Sequence, residues 1–300
     1  MLYIYTVCYN TPQYIDYQFR LLKKFIMNDF EYIVFNNTMT NTRLTNENIN
    51  NNNLLQTICK NHNIKYYDIP KQLFMGIHDQ DASKRAGTAI DASHHILFKN
   101  YSLDSTFFLI DTDAFILSPF DVEKFMHNKK LSGRQQFRKG NTTTIKYITN
   151  HIVIFKPSCF DQDEFFENFS FLPCKIDNVG CDCGGKINFL FDKLTDADFV
   201  NWDNKLFSDS GNIKQQWGVA PDEQKDFNNS AISDLNDSNL INYILQDSSI
   251  LKKKFPFCEI LENPKNNNIC LHMRAGTNWI NYNIKDRNEI LFQFLNNLVI

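Results

Sequence analysis

The chain has 300 residues, a formal net charge of -3, and a composition that is 43% hydrophobic, 14% aromatic and 22% charged. That balance excludes a disordered, collagenous or low-complexity protein, and the lack of a basic field argues against DNA or RNA as a partner. No run approaches the roughly 18 apolar residues of a membrane span, and Met1 to Asn10 lacks the basic leader and cleavage site of a signal peptide, so a cytoplasmic protein with reduced thiols is expected.

In chain order, Leu2 to Cys8 (LYIYTVC) is β-branched and aromatic and predicts a buried strand. Tyr14 to Met27 spaces Ile15, Phe19, Leu22, Phe25 and Ile26 as a helix does. Glu31 to Asn36 predicts a second strand, and the polar stretch after it, with its extreme at Asn46 to Asn53 (NENINNNN), a surface loop. About one residue in eight of the whole chain is Asn, which points to AT-rich coding, as in a large DNA virus or an AT-rich microbe, rather than to chemistry. A viral source would place the protein in the host cytoplasm or the virion. Leu54 to Asn63 predicts a helix, Ile64 to Ile69 a third strand, and Ser83 to Lys99 a helix capped by Ser83. Thr106 to Leu117 (TFFLIDTDAFIL) predicts an apolar strand interrupted by two carboxylates. The alternation β-α-β-α-β-α-β implies a parallel sheet covered by helices.

Beyond Asp121 the pattern loosens. Strands are expected at Lys130 to Phe137, Thr149 to Phe155 and Asn268 to Met273. Helices are expected at Gln162 to Phe169, Gly184 to Leu194, Ala231 to Leu251 and Asp286 to Leu298, with Thr195 to Asp209 and Lys214 to Val219 mixed. No linker or repeat divides the chain, so one α/β domain is expected over residues 1–300. Among the 8 cysteines, Cys174, Cys181 and Cys183 cluster, but C-x-C is not the usual zinc-knuckle spacing.

The chemistry concentrates at Asp111-Thr112-Asp113. A charge inside an apolar strand costs several kcal/mol unless it is compensated. Acids at i and i+2 point the same way from a strand, so a divalent cation plus a phosphate is a natural partner for them. In open α/β sheets ligands gather at the carboxyl ends of strands. The plainer alternative is an Asp pair capping a turn before Ser118-Pro119.

Further motifs accompany the D-x-D. Ser83-Lys84-Arg85 opens the helix before it, and Ala114 to Val122 (AFILSPFDV) continues from it. Asn150-His151-Ile152 starts a strand ending at Lys156-Pro157-Ser158, Asp182-Cys183 precedes Gly184-Gly185, and Leu271-His272-Met273-Arg274-Ala275-Gly276-Thr277-Asn278-Trp279 lies near the end. Together these resemble the motifs of GT-A fold glycosyltransferases, distantly the glycogenin-like ones. His151 and Ile152 stand where that family has small residues, Cys183 where it has Gln, and the C-terminal Lys-Pro is missing.

The resemblance implies a GT-A type Rossmann-like mixed sheet flanked by helices, with a nucleotide-sugar-binding half at 1–122. An acceptor-side half at 123–300 would carry a C-terminal metal- and diphosphate-binding segment. It implies a glycosyltransferase moving a sugar from a nucleotide-diphosphate donor, UDP-sugar foremost, to a hydroxyl on a glycan, protein or lipid. No nucleic acid and no integral membrane segment is involved, and a homodimer is possible. Mn²⁺ or Mg²⁺ would be held by Asp111, Asp113 and His272, and Arg274 and Gly276 would meet the diphosphate.

Thr6, Cys8, Tyr9 and Asn10 would meet the nucleoside, against ordinary strand-end packing. Lys84 and Arg85 would contact phosphate or ribose, against a solvated helical turn. Asp182 would be the catalytic carboxylate, with Asn150 and His151 facing the sugar; the competing role for Asp182 is a helix N-cap. His272 has its own alternative as a satisfied half-buried histidine. Of the other reactive types, His94 and His95 are read as structural, and Trp202, Asp203 and Trp217 as core packing in preference to an acceptor platform on which sugars stack. A metal-dependent nucleotidyltransferase and a non-catalytic carbohydrate-binding relic are the competing functions. The first usually carries a Gly-rich phosphate loop, and the sequence has no G-x-G-x-x-G or G-x-x-x-x-G-K-[ST].

Overall fold

A computed structural model describes residues 1–79, 81–191, 193–206, 258–263, 268–273 and 284–299. The segments expected at 214–219 and 231–251 lie outside the described residues, as do Arg274 and Gly276.

Strands β1 (Leu2–Cys8), β2 (Phe30–Asn36), β3 (Lys65–Asp68) and β4 (Thr106–Ile110) alternate with helices α1 (Pro12–Phe25), α2 (Asn46–Asn61) and α3 (Ala82–Asn100). They lie in the order β3-β2-β1-β4, all parallel. Three more strands, β6 (Leu131–Lys139), β7 (Thr144–Phe155) and β10 (Phe199–Asn201), extend this to a seven-stranded sheet. Within it β7 runs antiparallel to both β4 and β6. The architecture is thus the expected Rossmann-like mixed sheet flanked by helices. The order in which successive strands are added reverses between β1 and β4, which makes the carboxyl ends of those two strands the switch point where open α/β sheets bind ligands.

A smaller antiparallel sheet holds β11 (Asp203–Leu206), β12 (Cys258–Asn263), β13 (Asn268–Met273) and β5 (Ala114–Ile116) in that order. A separate hairpin joins β8 (Cys174–Ile176) to β9 (Val179–Cys181) through Asp177 and Asn178, both at positive φ. Asn tolerates that conformation, and two such residues in succession suit a tight two-residue turn. Helices α4 (Val122–Phe125), α5 (Gln162–Asn168), α6 (Asn188–Phe191) and α7 (Ile284–Val299) complete the described elements. No described helix is long and apolar enough to cross a membrane.

The central strands are buried on both faces, as parallel strands between helical layers must be. Along β1, Leu2, Ile4 and Cys8 enter one core cluster with Ile15 and Leu22 of α1, while Tyr5 enters the other with Ala89 and Ile90 of α3. The second cluster is rich in phenylalanine: Phe155, Phe165 and Phe169 pack with ring centroids 4.4 to 6.1 Å apart. Rings in such contact add about 0.5–1.5 kcal/mol per pair beyond the area they bury. His94 sits among them, its Nε2 2.6 Å from the Tyr5 hydroxyl. Trp202 is also core, 1% exposed, with its indole N–H on Ser132. Helix α7 docks on α1 through Phe292, which stacks on Tyr17 at 4.7 Å.

Four local expectations are corrected. Residues 46–53 are not a loop but the first half of α2, because Thr45 and Asn48 form a reciprocal capping box and the following Asn side chains find tertiary partners. Residues 106–117 are not one strand: the chain turns at Asp111–Asp113, so β4 and β5 belong to different sheets. Asp81, not Ser83, caps α3, its carboxylate accepting the Lys84 N–H. Residues 184–194 form a 3₁₀ turn and the single-turn α6, because Gly184 adopts φ 92° and interrupts helix geometry.

Candidate metal-binding and active site

The D-x-D stands at the switch point in a turn closed by the Ala114 N–H on the Asp111 carbonyl at 3.0 Å. The two carboxylates therefore converge through a turn and not through the same-face spacing of a strand. Three elements hold the turn. From β1, the Val7 carbonyl accepts the Thr112 hydroxyl at 2.7 Å, and Thr6 Oγ1 lies 3.3 Å from it. From β7, Asn150 donates to Asp111 Oδ2 at 2.9 Å, and the His151 carbonyl accepts the Asp111 N–H. From α1, Gln18 donates to the carbonyls of Asp111 and Ala114.

The third corner comes from β13. It pairs with β5 so that His272 lies opposite Ala114. Its Nε2 is then 3.3 Å from Asp113 Oδ1, both side chains being nearly inaccessible. One ligand atom from each of Asp111, Asp113 and His272 fits within 4.8 Å of the others. Burial first, and the neighbouring Asp113 charge second, push the Asp111 carboxyl up to about 7; His272, the Thr112 N–H and the Asn150 amide oppose this. Two desolvated carboxylates that repel one another, with an imidazole beside them, make a donor set that fits a hard divalent cation. The three residues predicted as metal ligands are thus brought together.

A bulge builds the adjoining cleft. Gly133 pairs with Val153 but Gln135 pairs with Ile148, so Arg134 stands opposite the stretch from Thr149 to Ile152. Bulges re-aim side chains in this way next to active sites. Here the bulge turns Asn150 toward Asp111 and stacks the His151 ring on His272 at 3.9 Å between centroids. His151 Nδ1 is 3.1 Å from the Thr149 hydroxyl. Beside it opens a small cleft of about 90 Å³ lined by Arg134, Gln136, Thr149, Asn150, His151, Asp182 and Cys183.

Asp182 is exposed on this cleft. Its carboxylate accepts the Cys183 N–H at 2.8 Å, and Gly184, not Asp182, stands at the cap of the following 3₁₀ turn. The N-cap alternative for Asp182 is thereby overturned. Gly184 packs against β7 so closely that a Cβ would lie 1.9 Å from the Ile148 carbonyl oxygen.

On the nucleoside side the predicted residues divide. Cys8 does not face a ligand: it points into the core, where burial pushes its thiol up to about 12. Thr6 is fully buried and serves the D-x-D turn. Tyr9 is half-buried and exchanges hydrogen bonds with Asn41. Asn10 takes φ 55° and is held by Asn48 and Asn51 of α2. Arg85 is 5% exposed and committed to protein partners: it bonds Asp79 at 3.1 Å, Thr40 at 2.8 Å and Asn41 at 3.1 Å, with its guanidinium over Phe74. It braces the loop carrying Asn41 rather than reaching toward a phosphate. Lys84 is exposed in the first turn of α3.

No family model matches the sequence, and neither does any curated protein. Among solved structures the chain is similar to the galactosyltransferase LgtC in complex with donor and acceptor sugar analogues. Identity is 12% and the TM-score 0.39, over 64% of this chain and 70% of that one. An active-site mutant of LgtC gives 12% and 0.41 over 67% and 73%. The apo structure of WbbM, a bifunctional glycosyltransferase, gives 10% and 0.34 over 56% of this chain and 33% of its own length. These are distant likenesses of shape, and the chemistry rests on the side chains above.

The residues that sequence reasoning missed are Gln18, Arg134, Gln136 and Thr149. Gln18 carried a readable signal, being a polar residue on the α1 face formed by Ile15, Leu21 and Leu22. Arg134 and Gln136 carried none, since their role depends on a bulge between strands.

Proposed function

We propose that the protein is a metal-dependent glycosyltransferase of GT-A type, transferring a sugar from a nucleotide-diphosphate donor to a hydroxyl on a glycan, protein or lipid. The observation that carries this reading is the Asp111–Asp113–His272 cluster at the switch point of the sheet, with a polar cleft beside it. Asp111, Asp113 and His272 would hold the cation; two carboxylate donors suit Mn²⁺ or Mg²⁺, and the imidazole favours Mn²⁺. Such an ion, when bound, supplies Lewis-acid stabilisation of the departing diphosphate.

The chain's own residues do the remainder. Asn150 orients Asp111. His151 and Arg134 border the space for the transferred sugar. Asp182 stands on the open side, where a carboxylate can take the acceptor proton or steady the acceptor hydroxyl. Tyr9 and Asn10 shape the nucleoside end, and UDP is the base-bearing group of first choice. Residues 1–122 are read as the donor half and 123–300 as the acceptor half.

The test is a thermal-shift screen of nucleotide sugars with and without Mn²⁺. A UDP-sugar should raise Tm only with Mn²⁺, and Asp113→Ala should remove the shift. A shift independent of Mn²⁺ and equal in the mutant would overturn the reading.

A further inference from the structure

Gln18 is fully buried in α1, a helix that contributes neither a metal ligand nor a cleft residue. A primary amide has two hydrogens to donate. Both are used on one turn: Nε2 donates to the Asp111 carbonyl at 2.8 Å and to the Ala114 carbonyl at 2.6 Å. The orientation of the amide is set by Tyr32 of β2, whose hydroxyl donates to Gln18 Oε1. Tyr32 is 4% exposed and Gln18 and Ala114 are fully buried, so the links from Tyr32 to Gln18 and from Gln18 to the Ala114 carbonyl are shielded from water.

The two carbonyls bracket Thr112 and Asp113 and sit where β4 and β5 part into different sheets. Without a donor at this position each carbonyl would lose a partner, and for the fully buried Ala114 that carries a cost an isosteric apolar residue does not repair. Ligand atoms must be held within a few tenths of an ångström for a metal site to bind well, and groups behind the ligands supply that restraint. The direction of the Asp111 and Asp113 side chains follows from the backbone of the turn Gln18 grips.

We propose that Gln18, oriented by Tyr32, is a positioning residue of the metal site. It sets the geometry of the Asp111–Asp113 turn and thereby its affinity for a divalent cation. This rests on the metal reading above and adds two residues to it that touch neither cation nor substrate.

The experiment is a Mn²⁺ titration of the full-length protein without nucleotide, free Mn²⁺ being read by electron paramagnetic resonance, on wild type, Asp113→Ala, Gln18→Met, Tyr32→Phe and Leu22→Ala. Leu22 is a fully buried α1 residue on the same core face, and its truncation controls for general softening of the helix. Gln18→Met should weaken Mn²⁺ binding at least about tenfold, the range expected for groups behind a ligand, and Tyr32→Phe, one bond further removed, about threefold. Leu22→Ala should lower Tm but leave the affinity within about twofold. Unchanged affinity in folded Gln18→Met, or an equal loss in Leu22→Ala, overturns the proposal. Should Gln18→Met fail to fold, Tyr32→Phe decides alone: wild-type affinity in it overturns the proposal. Wild-type binding that is absent, or that survives in Asp113→Ala, instead overturns the metal reading and the positioning role with it.

Discussion

Two acidic centres, one adjoining the cleft and one lining it, are built on opposite plans. Asp111 and Asp113 sit in a turn gripped from β1, β7 and α1, beside a histidine delivered by a second sheet. Asp182 sits exposed at the end of a short hairpin, held by its own neighbour's N–H and by the close seating of Gly184 on β7. The first arrangement makes a rigid, desolvated pair whose mutual repulsion favours a cation. The second leaves a solvent-facing carboxylate placed by local backbone contacts. Binding charge calls for the first kind of support, and meeting an interchangeable acceptor from solvent suits the second.

This contrast can be broken at several points. Asp113→Ala should have the largest effect, lowering sugar-transfer turnover by about a thousandfold with the Mn²⁺-dependent Tm shift lost, several kcal/mol being the usual worth of such a cation. Turnover within tenfold of wild type would show that the buried pair is structural. Next, Gly184→Ala should destabilise the fold by about 3 kcal/mol or more, since it adds left-handed strain to a clash with the Ile148 carbonyl. Denaturant titration reads this, and wild-type stability would mean that the hairpin is not seated as described.

Asp182→Asn should then lower turnover by about a hundredfold while Mn²⁺ and donor binding stay as in wild type. A loss of metal affinity in that mutant would erase the distinction between the two centres.

An effect confined to acid concerns His94, packed among the phenylalanine rings. Burial pushes its imidazole down to about 3, so the folded state stays unprotonated while the unfolded chain takes up a proton below about 6.5. The stability this contributes is fully present above that value and is lost as pH falls toward 3, at up to about 1.4 kcal/mol per pH unit. His94→Phe should flatten the pH dependence of unfolding between pH 6.5 and 4 relative to wild type. An unchanged slope would assign acid sensitivity to other groups, the cleft carboxylates among them.

Much of the N-terminal β-α-β array was legible because it is written in local patterns. The apolar runs of β1, β2 and β4 and the helical spacing of α1 and α3 reflect which faces are buried, and burial repeats with the period of the element. The D-x-D stood out because carboxylates are costly in an apolar run. Legibility ended where partners come from far along the chain. The Asn tract reads as a loop by composition, yet Asn48 and Asn52 bond Asn10 and Asn36, and those contacts repay its weak helix propensity. Arg85 looked available by its place in a helical first turn, but Asp79, Thr40 and Asn41 claim it.

The sequence by itself therefore determined the alternating α/β order, the position of Asp111 and Asp113 and the candidacy of His272, because strand and helix periodicity and the rarity of acids in apolar runs are local properties. Tertiary structure alone decided that the acids lie in a turn, that Cys8 faces inward, that a bulge aims Asn150 and His151, and that Gln18 grips the D-x-D from a helix. Each of these depends on which strand lies beside which, and pairing across long separations leaves no period in the chain to read.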